Sequence, residues 1–206
     1  MEKIILSYQD SCLYESDVAL LKTKSSWLND KIITFYFEYL ENEVYKNDEI
    51  LFLGCETTQA IKMLKDPVEI NSIFLDHLNV FRRDFIIFPL NNNNSHWSLL
   101  VYSKPENKFF HFDSIRNSNY DVCNDFVKIM IACLKLSKYQ VRCEQIQCLQ
   151  QNDTSACGDF LLCHVDLVCK KITKDKRVSD IDKLSIETVN NKRQELLNII
   201  KKLTNT

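Results

Sequence analysis

Two separated stretches of the chain carry residue types that together could break an acyl bond. In "QQNDTSACGDFLLCHV", residues 150–165, Cys157 stands directly before Gly158, one of only two glycines among 206 residues. The apolar run that follows reads as a helix beginning at this cysteine. First-turn amides have no intrahelical partner and the helix dipole places partial positive charge there, so a thiolate at that position is stabilised. Gly158 lets another backbone or a substrate approach closely. Gln151, six residues earlier in the same polar loop, could turn its amide towards the thiol and, with a backbone N–H, donate to a developing oxyanion.

A thiol nucleophile also needs a base held by a third group. "HWSLLVYS" and "NKFFHFDS" are β-prone runs joined around Lys104-Pro105-Glu106, the pattern of a hairpin. A turn centred between Lys104 and Pro105 sets Tyr102 opposite Asn107, Leu100 opposite Phe109, Ser98 opposite His111 and His96 opposite Asp113. Opposed residues have Cβ atoms about 4.5–5.5 Å apart on one face, so an imidazole and a carboxylate meet at the open end. A one-residue slip would part them. Taken singly, His96 also reads as a strand-end histidine with a chance neighbour, and Cys157 as a small helix-start hydrophobe. Taken together with Gln151 and Gly158, they point to acyl transfer.

The elements that must position these groups follow from periodicity. "KSSWLNDKIITFYFEYLENEVYK" reads as a helix of roughly four turns, with Asn29 or Asp30 as N-cap. "TTQAIKMLKDPVEINSIFLDHL" reads as two short helices parted at Asp66-Pro67. "RRDFIIFPL" reads as a short buried strand ending at Pro89, "YDVCNDFVKIMIACLKL" as a helix and "YQVRCEQIQCL" as a strand. "CGDFLLCHVDLVCKKI" is apolar nearly all round, hence a central buried helix with Cys163 in its core. Leu196, Leu197, Ile199, Ile200 and Leu203 mark a packed terminal helix. No repeat or linker interrupts the chain, and a single domain over 1–206 is expected.

Composition limits the partners. A net charge of -2 and pI near 6.1 give no electrostatic reason to expect nucleic acid, and the run Lys174-Asp175-Lys176-Arg177 reads as a solvated loop or helix end. No signal-like or membrane-spanning apolar stretch occurs, and an odd set of nine cysteines suits reduced thiols in cytoplasm or nucleus. No CxxC spacing is present and no structural metal is expected.

The motifs "WLND" (27–30), "HWSLLVY" (96–102), "FFHFDS" (109–114) and "QNDTSACG" (151–158) resemble, in order, those of the sentrin-specific, Ulp-type family of ubiquitin-like-protein proteases. The resemblance covers nearly the whole chain. "LSYQDSCLYESDVALL" and "SWLNDKIITFYFEYLEN" most resemble its compact deneddylase branch. It implies a papain-like α+β fold, a mixed or antiparallel sheet with packed helices, in the permuted order His, Asp, Cys. It implies His96 as general base and then acid, Asp113 as its orienter, Cys157 as nucleophile and Gln151 as oxyanion donor. Trp27 and Trp97 would flank a narrow channel for a modifier's Gly-Gly tail, and Asp30 would contact the modifier body. Glycines suit such a channel because any larger side chain would clash.

The implied activity is cleavage after the Gly-Gly of a ubiquitin-like modifier, foremost the neddylation modifier, in maturation and in deconjugation from lysines, without metal or organic cofactor. A SUMO-like modifier or ubiquitin is the alternative substrate; a non-catalytic modifier-binding domain and an acyltransferase are the alternative classes. The chain departs from the family pattern at two positions. Ala156 stands where Asp usually precedes the cysteine, and Asp153 where Asn is usual. "NNNNS", 91–95, is a polar loop before His96 that reads equally as a mobile element or an ordinary turn.

Overall fold

β4 (Phe85–Asn91), β5 (Trp97–Ser103) and β6 (Lys108–Phe112) form the antiparallel centre of a five-stranded sheet in the computed structural model, which describes residues 2–46 and 48–205. β3 (Ile50–Phe52) joins β4 in parallel at one edge, and β7 (Arg142–Ile146) joins β6 in parallel at the other. The sheet is mixed and helices cover both faces, an α+β arrangement.

Alternation of side chains along the strands sorts the core into two layers. Phe85, Ile87, Leu99, Val101, Phe110 and Phe112 pack with residues of α2 (Asp30–Tyr39), α6 (Cys157–Asp175) and α7 (Ile186–Thr204). Ile86, Phe88, Leu100, Tyr102 and Phe109 pack with α3 (Cys55–Leu64), α4 (Pro67–Ile70) and α5 (Tyr120–Cys133). Burial on both faces is why β4 and β5 are near-continuous apolar runs. An N-terminal hairpin, β1 (Ile4–Tyr8) with β2 (Ser11–Tyr14), and α1 (Glu15–Lys22) precede "WLND". No helix among the described residues is long and apolar enough to cross a membrane.

Local chemistry sets the helix ends. Asn29 is the N-cap of α2: its Oδ1 accepts from Ile32 N at 3.1 Å, while its Nδ2 donates to Asp17 Oδ1 at 2.6 Å. The four expected turns are not uniform, because α-helical pairing gives way to a π turn over Leu40–Val44. The break at Asp66-Pro67 is present: Asp66 Oδ1 accepts from Val68 N and Glu69 N, and Pro67 occupies the first helical position, where its missing N–H costs nothing. The basic run at 174–177 is the end of α6, with Lys176 in left-handed geometry.

Two strand expectations are corrected. β4 runs past Pro89 to Asn91, with Pro89 opposite Leu99. Proline is accommodated because β3 pairs only as far as Phe52↔Ile87, so β4 has an open edge on that side by residue 89. The hairpin register is also shifted. Tyr102 pairs with Phe109, not Asn107, and Leu100 with His111, not Phe109, because a four-residue turn, Lys104 to Asn107, connects the strands. Asn107 takes φ 51° in that turn, a left-handed conformation asparagine tolerates well. Each partner moves by two residues. Two is the side-chain period of a strand, so the faces are kept: His96 and Asp113, one residue beyond the ends of β5 and β6, remain on one side as diagonal neighbours.

Candidate active site

Cys157 is the first residue of α6 and 1% exposed. Behind it, Gly158 makes the close approach expected of it, but to protein: a Cβ there would lie 2.8 Å from Leu28 Cβ. Leu28 belongs to "WLND", so the glycine lets the helix start seat directly on the segment carrying Trp27. The loop before α6 is fastened by Asp153, whose Oδ1 accepts from Ser155 N and Ala156 N, both at 2.8 Å. An asparagine side-chain oxygen could make the same two bonds, so the substitution at 153 leaves this turn chemically intact.

His96 lies between two groups. Its Nε2 is 2.6 Å from Asp113 Oδ1, and the Cys157 thiol is close enough to act on the same ring. With Nε2 engaged, Nδ1 is the nitrogen left for the sulfur. Burial pushes the imidazole towards neutrality, but the bonds and charges of Asp113 and Cys157 outweigh it and raise its pKa to about 9. Asp113 is buried, which alone would raise its pKa. The bond to His96 and the backbone N–H groups of Asn119 (3.0 Å, to Oδ2) and Ile115 (3.0 Å, to Oδ1) hold it below the usual carboxylate range. A thiol, an ionised carboxylate and an imidazole inclined to stay protonated are therefore assembled in one buried cluster.

Asn119 is a residue to which sequence reasoning assigned no role. It is fully buried, and besides its N–H to Asp113 its Nδ2 donates to the His96 carbonyl (3.3 Å), the Leu90 carbonyl (3.4 Å) and Ser98 Oγ (2.8 Å). It thus fixes both ends of the His96–Asp113 pair. Only its place just before α5 marks it in the sequence.

Gln151 lies beside the cluster in a different pose from the one expected. Its Oε1 accepts from Ser114 Oγ at 2.7 Å, its backbone N–H donates to the Ser114 carbonyl at 2.9 Å, and its Nε2 donates to the Asp153 carbonyl at 2.8 Å. The side chain is held by its own loop and by the residue after Asp113. One N–H of Nε2 makes no bond among the described residues.

The two tryptophans and Asp30 line one groove of about 640 Å³, with Leu28 and Asn29, the Glu56, Gln59, Ala60 and Met63 face of α3, and Asn91 and Asn94. Trp97 is 5% exposed and donates Nε1 to the Leu28 carbonyl at 2.9 Å, whereas Trp27 is 40% exposed. Trp27 is therefore a groove wall and not a core anchor. The asparagine loop is a tight turn here, with Asn93 and Asn94 left-handed and Asn92 N donating to the His96 carbonyl.

A helix-start thiol packed beside a carboxylate-oriented imidazole, on a mixed sheet with helices on both faces, is the constellation of a cysteine peptidase. The chain belongs to the Ulp1 protease family, whose C-terminal catalytic domain matches residues 26–200. It is 32% identical to mouse sentrin-specific protease 8, with 98% of this chain and 95% of that protein covered. It is 29% identical to NEDD8-specific protease 1 of Arabidopsis thaliana, over 97% of this chain and 93% of the relative. The fold is also similar to that of the C-terminal Ulp1 protease domain solved in complex with Smt3, the yeast ortholog of SUMO (TM-score 0.76, 16% identity, 98% of this chain and 89% of that chain).

Proposed function

We propose that this chain is one catalytic domain that cleaves after the C-terminal Gly-Gly of NEDD8, both in its precursor and in its conjugates to lysine. The Cys157–His96–Asp113 cluster carries the reading: of three buried imidazoles, it holds the one whose proton affinity is raised. The NEDD8-specific and sentrin-specific relatives, matched end to end, support the choice of modifier.

The Cys157 thiolate attacks the glycine carbonyl carbon, and the oxyanion is met by the spare N–H of Gln151 and a first-turn amide of α6. The protonated imidazole gives its proton to the departing amine as the C–N bond breaks, leaving a thioester. Asp113 fixes the ring and its charge. His96 then takes a proton from water, whose oxygen displaces the sulfur and frees the modifier's carboxylate. The groove between Trp27 and Trp97 takes the glycine tail, with Asp30 towards the modifier body. Nine free cysteines suit a reducing compartment, cytoplasm or nucleus.

A panel of NEDD8, SUMO and ubiquitin tails ending in an electrophile tests both chemistry and choice of modifier. NEDD8 should label Cys157 fastest, and preferential labelling by another modifier would reassign the substrate. Cys157→Ala should lose cleavage by about 10³-fold or more yet retain modifier binding by calorimetry, since one sulfur contributes little contact area. Substantial residual turnover would remove Cys157 from the role of nucleophile.

A further inference from the structure

Arg193, on α7, lies outside the groove and is 8% exposed, and its guanidinium bonds in two directions. Towards α6, Nε donates to Asp159 Oδ1 (3.1 Å) and Oδ2 (3.0 Å), and Nη2 lies 2.9 Å from Oδ2. Towards the last turn of α1 and the segment after it, Nη1 donates to the carbonyls of Leu20 (3.1 Å) and Thr23 and to Ser26 Oγ (2.9 Å), and Nη2 to the Ser26 carbonyl (2.6 Å). Asp159 is two residues past Cys157 in the first turn of α6. Ser26 immediately precedes Trp27.

One planar cation thus joins the turn that bears the thiol to the segment that bears the exposed groove wall. A lysine could not do this, because it lacks the fixed fork of donors. A buried ion pair is a costly way to hold two elements together, and an apolar contact would serve stability as well. What the pair adds is geometry, several directional bonds to two elements from one rigid group.

We propose that the Asp159–Arg193 pair is a positioning device that sets Cys157 against the Trp27 wall of the tail channel. It rests on the reading of Cys157 as nucleophile and of Trp27 as channel wall. Neither residue meets substrate, and the two arms are separable: the Asp159 arm governs the thiol, the carbonyl arm governs Trp27. Ala156 lies one helical turn before Asp159 and lines the same small cavity of about 270 Å³ as Asp159 and Arg193. A carboxylate placed at 156 should therefore reach the same guanidinium.

The test uses the full chain. Asp159→Ala should lower kcat/KM on a NEDD8 Gly-Gly substrate by about tenfold or more, and adding Ala156→Asp should bring it back to within about threefold of the parent. Arg193→Lys keeps a charge for Asp159 but loses the fork. It should raise KM several-fold more than it changes kcat, and raise acrylamide quenching of tryptophan fluorescence, which reports mainly Trp27 because Trp97 is buried. If the parent cleaves no modifier, the functional reading fails. Positioning is then still read from the quenching and from the rate of Cys157 carbamidomethylation by iodoacetamide, slowed in Asp159→Ala and restored in the double variant. The proposal is overturned if Arg193→Lys leaves KM and quenching unchanged. It is equally overturned if the double variant is no better than Asp159→Ala while both melt like the parent. Should Asp159→Ala not fold, the Arg193→Lys measurements decide alone.

Discussion

Among the buried histidines, His111 and His164 are pushed towards neutrality by burial, His164 to about 4, whereas His96 is lifted to about 9. The difference lies in neighbours: Asp113 and Cys157 act on His96, while the His164 ring packs tilted against Phe112, centroids 5.4 Å apart. Because the folded pKa is raised above the unfolded value near 6.5, His96 contributes stability that is complete below pH 6.5. It is lost as pH climbs to 9. Urea denaturation should show a decline of order 1–3 kcal/mol across that window, smaller in His96→Gln. The basic limb of kcat/KM should fall near pH 9 and move to lower pH in Asp113→Asn, where burial acts on the imidazole without its counter-charge. An unmoved limb in that variant would separate Asp113 from the base. The residue types for this chemistry are visible in the sequence, but the bonds that fix their proton affinities, such as Asn119 N–H to Asp113, are not. The Asn119 bond crosses six residues of irregular chain that no periodicity relates.

At the scale of elements, strand parity is robust where register is not. The hairpin turn holds four residues and moves every pair by two, yet the imidazole and carboxylate stay on one face because two is the repeat of the strand. Helix starts were legible for a similar local reason: Asn29, Asp66 and the run after Cys157 carry their own capping or burial signals. β1, β2 and β3 carry no comparable signal, because segments of three to five residues are too short to establish a period. The seat of α6 on "WLND" yields a prediction. Gly158→Ala puts a methyl 2.8 Å from Leu28 Cβ, which cannot swing away as a side-chain tip could. It should cost about 1–3 kcal/mol of stability by denaturant melts. It should also raise KM, since the Leu28 carbonyl holds Trp97. Wild-type stability and KM in that variant would show that the contact relaxes freely.

For the molecule as a whole, the groove is composite: one wall comes from residues 27–30, a second from α3, a third from the start of β5 and the asparagine loop. With Trp97 tied to Leu28, the proposed function makes the space between the indoles a channel that selects glycine by exclusion. Replacing the penultimate glycine of the modifier tail by alanine should lower kcat/KM by about tenfold or more, and equal turnover of the two tails in a competition assay would remove the tryptophans from specificity. The sequence by itself determined the helix-start thiol, the alternating strands that put His96 and Asp113 on one face, and the order of motifs that places the chain in its family. These depend on residue type and spacing over a few neighbours, which the chain states directly. Only the tertiary structure decided the hairpin register, the pose of Gln151, the contact of Gly158 with Leu28 and the reach of Arg193 to Asp159 and Ser26. Each depends on how distant segments pack, and packing is settled by the summed fit of the whole core, which no short window of sequence contains.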